Sequence, residues 1–175
     1  MRAANPDRDR WLALAILGAL AVLAVSIYVA GLVLMFSCSA VYNLARKSRR
    51  REFYQRLDHA GIFLMIAGTY TPFTVFLLQG GWAVALTALV WSIALLGAAV
   101  KLLWPHRLAR LSTLIYLALG WIGIVAVEPL FAALGVPTLI LLAVGGALYS
   151  IGVIFHHWER LPYQNAIWHG FVLAA

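Results

Sequence analysis

The chain has 175 residues, of which 64% are apolar and only 11% are charged, and its formal net charge is +7. Soluble domains are about 45–50% apolar and about 25% charged, so this chain has too few polar side chains to cover a surface in water, and a soluble globular domain is excluded. The composition predicts an all-α fold, a polytopic bundle of transmembrane helices with lipid as its outer solvent.

The first predicted elements are a polar tail and a long apolar run. Residues 1–10 form the tail, and the run 11–44 has 34 residues without a charge. A helix of that length would extend about 50 Å, whereas the hydrocarbon core of a bilayer is about 30 Å thick. We therefore predict one full span at 22–44, preceded by the remnant of an earlier span, within a single transmembrane domain over 11–175.

Five further apolar runs follow along the chain, and short turns or proline-containing connectors separate them. We predict spans at 60–78, 82–104, 111–127 and 136–155, and a partial span at 166–175. A full span needs about 20 residues, and the last run has about half that number. We therefore expect the chain to be a fragment.

The basic residues indicate the orientation of these spans. Ten of the 13 Lys and Arg residues lie in the connectors 45–57, 101–110 and 156–165, whereas the connectors 79–81 and 128–137 have none. Basic residues in every second connector are typical of cytoplasmic loops, so we predict that the three basic connectors are cytoplasmic. The cluster after the first span then orients the helices and contacts lipid headgroups, which makes the bilayer the predicted partner and argues against nucleic acid; its members are Arg46, Lys47, Arg49, Arg50, Arg51 and Arg56.

Polar residues that are costly in lipid gather at the predicted cytoplasmic ends of three spans. They are Ser39 and Asn43 in the first, Asp58 and His59 in the second, and Asn165 and His169 in the last. Two pairs have i, i+4 spacing and so share a helix face. Polar pairs from two helices with an acid from a third are an arrangement that holds metal ions inside bundles.

A zinc ion with an open position takes three protein ligands, chiefly histidines, and activates a water molecule. Other interpretations stay open for each residue. Asn165 and His169 could form interhelical hydrogen bonds, and Asp58 could form a salt bridge with Arg56 or cap the N-terminus of its helix.

These motifs, in this order and spacing, resemble the hemolysin III family, the bacterial branch of the progestin and adipoQ receptor family, which is related to alkaline ceramidases. The strings are SAVYN (39–43), RLDHAGIFLMIAGTYTPF (56–73), GWIGI (120–124), GGALYSIGVIF (145–155) and NAIWHGFVLAA (165–175). The resemblance covers nearly the whole chain, and its second string is highly specific.

The resemblance implies a seven-helix bundle in a bacterial inner membrane, with a cytoplasmic N-terminus and a zinc site on the cytoplasmic side. An aspartate of the family holds the zinc-bound water. On this alignment the chain lacks the first span of the family and most of the seventh, which agrees with the fragment expected from span lengths.

Carried over by residue, the zinc-site pattern of the family is incomplete in this chain. The Ser-X-X-X-His of the family corresponds to Ser39 and Asn43, its acid to Asp58, and its His-X-X-X-His to Asn165 and His169. Asparagine therefore stands at two of three histidine positions, and an amide oxygen is a weak zinc ligand. Paired amides that hydrogen-bond across helices would explain why both positions changed to the same residue type.

Two hypotheses for function follow. The leading one is a hemolysin III-like integral membrane protein with a cytoplasmic-side polar site that is non-catalytic, because its zinc site is degenerate. The alternative is a zinc-dependent membrane hydrolase that acts on the amide or ester bonds of a lipid substrate. In that case His169 would bind the metal, and Asp58 and Ser39 would be the catalytic residues.

Overall fold

The computed structural model describes residues 6–45, 49–78, 80–104, 111–158 and 160–175, and at residues 6, 129 and 165 it describes the backbone alone. All regular structure in these ranges is helical, which confirms the all-α prediction. The helices are α1 (Pro6–Leu44), α2 (Arg51–Leu77), α3 (Gly80–Leu103), α4 (Leu111–Trp121), α5 (Val127–Ala133), α6 (Val136–His157) and α7 (Gln164–Ala174), with a 3₁₀ segment at Ile122–Ala126. Predictions for Arg46, Lys47 and the connector residues 105–110 lie outside the described residues.

Among the described helices, α1, α2, α3 and α6 are long and apolar enough to cross a membrane. The fourth predicted span, 111–127, is different, because α4 ends at Trp121 and the 3₁₀ segment separates it from α5. Gly120 lies just before this break, and Gly123 and the β-branched residues Ile122, Ile124 and Val125 lie within the 3₁₀ segment. Both residue types lower helix propensity, which explains why the helix tightens into a 3₁₀ segment here.

The first helix is continuous through the predicted span at 22–44 and the apolar residues before it, and the division of this run into one span and an earlier remnant stays a prediction. α1 has 39 residues and begins at Pro6, which makes it about 58 Å long. Its first turn contains Asp7 and Asp9, and carboxylates there interact favourably with the helix dipole. Part of the predicted polar tail is therefore the first turn of α1.

The chain divides into two compact units, Met1–Arg107 and Leu108–Ala175; the single transmembrane domain over 11–175 stays a prediction. In the first unit, α2 is the central helix and packs against both α1 and α3. The buried residues of α2 are mostly small and include Ala60, Gly61, Phe63, Ala67, Gly68, Thr71 and Thr74. Small residues allow close approach of helices in a membrane, where packing rather than the hydrophobic effect drives association.

Glycines lie in the contact between α1 and α2. A Cβ atom at Gly68 would be 3.4 Å from the carbonyl oxygen of Ile27, and one at Gly61 would be 3.5 Å from the Cα atom of Met35. Residue numbers therefore rise along α1 as they fall along α2, so the two helices are antiparallel.

Hydrogen bonds between side chains join α2 to α3. The indole Nε1 of Trp91 donates to Thr71 Oγ1 at 3.1 Å, and Thr87 Oγ1 donates to Thr74 Oγ1 at 2.7 Å. Thr71 also donates to the carbonyl oxygen of Ala67 at 2.9 Å. Its hydroxyl is thus a donor within α2 and an acceptor from α3.

We expect the Thr71→Val substitution to destabilise the protein by about 1 kcal/mol, because the Trp91 indole would lose its acceptor in an apolar surrounding. Thr69→Val is the matched control. Thr69 makes the same bond to a carbonyl within α2, to Met65 at 2.9 Å, and no bond to α3 among the described hydrogen bonds. Unfolding by SDS in mixed micelles measures both variants, and equal losses of stability would contradict the prediction.

In the second unit, α6 and α7 form a helical hairpin with an aromatic contact. Phe155 stacks on Phe171 with ring centroids 5.2 Å apart, and Tyr149 meets Trp168 edge-on at 5.2 Å. α4 joins this hairpin through a hydrogen bond from Trp121 Nε1 to Ser150 Oγ at 2.9 Å. Polar side chains thus connect helices in this unit as they do in the first.

Candidate functional site

The predicted site residues of the first unit lie where α1 ends and α2 begins. Because Gly61 contacts Met35 in antiparallel helices, Asp58 lies one turn further along, at the level of Cys38 and Ser39. Consistent with this register, Asp58 interacts electrostatically with Cys38. Asp58 and Ser39 are both half-buried. The structure therefore brings Asp58 of α2 to the level of Ser39 of α1, while their catalytic roles stay predictions.

Asn43 uses its amide group within its own helix. Its Nδ2 atom donates to the carbonyl oxygen of Ser39 at 2.9 Å, and Asn43 is exposed. The i, i+4 spacing does place both residues on one helix face. Asparagine side chains commonly bond to backbone groups nearby in this way, and this bond orients the amide along α1.

The structure corrects one interpretation of Asp58. α2 begins at Arg51, well before the predicted start at residue 60, so Asp58 lies about two turns inside the helix and cannot be its N-cap. Arg56, the proposed salt-bridge partner, is 4.0 Å from Glu52 one turn earlier in α2.

Lys101 is a buried cation that the sequence prediction placed in the connector 101–110. It lies in the last turn of α3, and only 2% of the residue is exposed. Gly97 faces Phe63, so Lys101 lies one turn further along, at the level of His59 and Ala60. The buried α3 residues Val90, Ala94, Gly97, Ala98 and Lys101 recur at helical spacing, and this periodicity was the signal that could have identified Lys101.

The second unit contains His169 in α7. His169 is exposed and interacts electrostatically with His156. Asn165 lies one turn before His169, and its side chain is outside the described part of the structure. The site residues therefore fall in both units, and the convergence of the three helix ends stays a prediction.

His156 is a polar residue of the hairpin whose position the sequence prediction missed. It lies in the last turn of α6 rather than in the predicted connector 156–165, and its ring is 5.1 Å from that of Trp168. Gln164 Nε2 donates to the His156 carbonyl oxygen at 3.3 Å, which joins the end of α6 to the start of α7. Two adjacent histidines, His156 and His157, are compatible with either a loop or the end of a helix. Their residue types therefore did not indicate that His156 lies in α6.

The residues present do not fit a zinc ion. At the three ligand positions implied by the resemblance, His169 is the one imidazole, and the Asn43 amide is bonded within α1. Among the residues that the structure describes, no group of three or more His, Cys, Asp or Glu side chains could hold a metal ion. Structural and catalytic zinc sites use imidazole, thiolate and carboxylate ligands, so we derive no chemical step through zinc.

Comparisons with known proteins give consistent matches. The family model described as Haemolysin-III related matches residues 10–175. The chain is 39% identical over 148 residues to the Hemolysin-3 homolog of Bacillus subtilis (strain 168), covering 85% of this chain and 70% of that protein. It is 40% identical over 153 residues to Hemolysin-3 of Bacillus cereus, covering 87% and 70%.

A more distant relative is human. The Monocyte to macrophage differentiation factor of Homo sapiens is 28% identical over 155 residues, covering 85% of this chain and 64% of that protein. No solved structure gives a significant match.

Proposed function

We propose that this chain, which belongs to the haemolysin-III related family, is a non-catalytic membrane protein of that family whose polar site functions without zinc. In this proposal Ser39, Asp58 and His59 hold helix ends together in the bilayer. The protein would lie in a bacterial inner membrane with its basic connectors in the cytoplasm, an orientation that the distribution of Lys and Arg supports.

The observation that carries the proposal is the Asn43 hydrogen bond. Its amide nitrogen donates to the Ser39 carbonyl oxygen at 2.9 Å. The side chain at a position where the family has a zinc ligand is therefore hydrogen-bonded within its own helix, α1. Its remaining donor atom toward a metal is a neutral amide oxygen, which competes poorly with imidazole for zinc. A hydrolase of this type needs zinc to activate water.

A structural role is also consistent with how this protein uses its other intramembrane polar groups. Thr71 accepts from Trp91 across α2 and α3, and Ser150 accepts from Trp121 across α4 and α6. Each of these bonds joins two helices and leaves the indole and hydroxyl groups paired with each other. Interhelical bonds of this kind contribute about 0.6 kcal/mol on average in membranes.

The alternative, a zinc-dependent hydrolase of lipid amides or esters, is favoured by one observation. Asp58 is retained at the position of the acid, and it lies at the level of Ser39 on the neighbouring helix, where it interacts with Cys38. The hydrolase hypothesis requires a bound metal ion. Whether the stability and activity of the protein depend on a metal therefore distinguishes the two functions.

The test compares thermal stability with and without a zinc chelator for the full chain in detergent. We expect no change for the unmodified protein. Asn43→His with Asn165→His restores the imidazoles, and zinc at 100 times its dissociation constant would then stabilise the variant by about 2.7 kcal/mol. Gln55→His, which adds an exposed imidazole to α2, is the control and should not respond to zinc. A chelator that destabilises the unmodified protein, together with chelator-sensitive hydrolysis of a lipid amide, would favour the hydrolase.

A further inference from the structure

The turn between α1 and α2 concentrates positive charge at one end of the first unit. Between residues 45 and 57 the sequence has six basic residues and one acidic residue, Glu52. Arg49, Arg50 and Arg51 are consecutive and exposed. Glu52 is 4.0 Å from Arg56, one turn further into α2, so the single carboxylate of this segment already faces another arginine.

Arg51 is held in place by an aromatic residue of the preceding helix. Its Nη2 atom donates to the hydroxyl oxygen of Tyr42 at 3.4 Å, and its Cζ atom lies 5.3 Å from the centre of the Tyr42 ring. A cation–π contact of this kind contributes about 0.5–1 kcal/mol at an exposed site. The guanidinium is therefore preorganised at the end of α1, which lowers the entropy lost when it binds a ligand.

The chemistry of this cluster matches a phosphate group. Arginine offers a planar set of N–H donors that bind phosphate oxygens in pairs. The cluster also lies at the ends of two helices that are long and apolar enough to cross a membrane. Phosphates of lipid headgroups occupy that depth, and juxtamembrane clusters of basic residues attract anionic headgroups.

We propose that Arg49, Arg50 and Arg51 form a binding site for the phosphate of an anionic phospholipid headgroup, with Tyr42 as a positioning residue for Arg51. Free phosphate shares the binding chemistry, but a lipid is already held at this depth by its acyl chains. The proposal does not depend on whether the protein binds zinc, because none of these residues belongs to the zinc-site positions of the family.

The experiment uses the full chain in neutral detergent and native mass spectrometry to measure binding of phosphatidylglycerol, with phosphatidylcholine and inorganic phosphate as comparison ligands. We expect tighter binding of phosphatidylglycerol than of phosphatidylcholine. Replacing Arg49 and Arg50 by glutamine should weaken phosphatidylglycerol binding about fivefold for each arginine and leave phosphatidylcholine binding unchanged. Arg160→Gln, an exposed arginine of the second unit, is the matched control and should bind as the unmodified protein does.

Tyr42 variants test the positioning role. Tyr42→Ala should weaken phosphatidylglycerol binding about as much as Arg51→Gln, and Tyr42→Phe should have a smaller effect because the ring is kept. Equal weakening by Arg160→Gln, undiminished binding in the Arg49→Gln/Arg50→Gln variant, or no preference over phosphatidylcholine would overturn the proposal. Inorganic phosphate that displaces the lipid at comparable concentration would show a site for free phosphate and would also overturn it.

Discussion

Replacing Lys101 by methionine is expected to destabilise the protein by about 3 kcal/mol, measured by SDS-induced unfolding in mixed micelles. Lys101 is 2% exposed in the last turn of α3, and a basic side chain buried in a membrane helix is costly unless protein groups interact with it. Methionine has a similar length but removes the amino group, so the interaction that Lys101 makes in the folded protein would be lost from a buried site.

The control for Lys101 is Arg160→Met, which removes one exposed positive charge from the second unit. We expect it to change stability by less than about 0.5 kcal/mol, as is usual for exposed positions. If Lys101→Met were as stable as the unmodified protein, the ammonium group would not be integrated into the packing of α3, and its burial would have no energetic consequence.

Replacing Gly97 by leucine should also destabilise the protein, by about 3 kcal/mol, which is the upper part of the usual range for overpacking. A Cβ atom at Gly97 would overlap the ring of Phe63. Phe63 is completely buried between α2 and its neighbours, so its ring cannot move out into open solvent. The contact between α2 and α3 would have to separate to admit the larger side chain.

Gly18→Leu is the matched control, because Gly18 lies inside α1 and a Cβ atom there would meet nothing within 4 Å. Both variants make the same change of residue type within a long apolar helix. Leucine has a better helix propensity than glycine, so the control should be neutral or slightly stabilised. Similar losses of stability in both variants would show that the α2–α3 contact is looser than the structure indicates.

Much of the fold could be predicted from the sequence, because span length and hydrophobicity depend on the bilayer rather than on tertiary packing. The helices α3 and α6 lie close to predicted spans, and α2 contains most of the span predicted at 60–78 but begins earlier, at Arg51. The break after Trp121 was not predicted, since hydropathy does not distinguish an α-helix from a 3₁₀ segment. The continuity of α1 was not predicted either, because hydropathy does not show whether an apolar run longer than the hydrocarbon core is a single helix.

The candidate site was predictable only in part. The i, i+4 spacing of Ser39 and Asn43 predicted that both residues lie on one face of α1, because helical periodicity is a local property. The burial of Lys101 depends on which face of α3 meets α2, and the contact of Arg51 with Tyr42 joins residues on either side of a turn. Periodicity within one helix does not specify which neighbouring helix it meets, so these contacts required the structure.

Zinc content tests most directly whether the polar site works without the metal. It is determined by inductively coupled plasma mass spectrometry for the purified unmodified protein and, in parallel, for the Asn43→His/Asn165→His variant. We expect far less than one zinc ion per chain in the unmodified protein and about one in the variant, because the resemblance predicts that its three imidazoles converge on one zinc site. One zinc ion per unmodified chain, retained through purification, would contradict the proposal that this family member works without the metal.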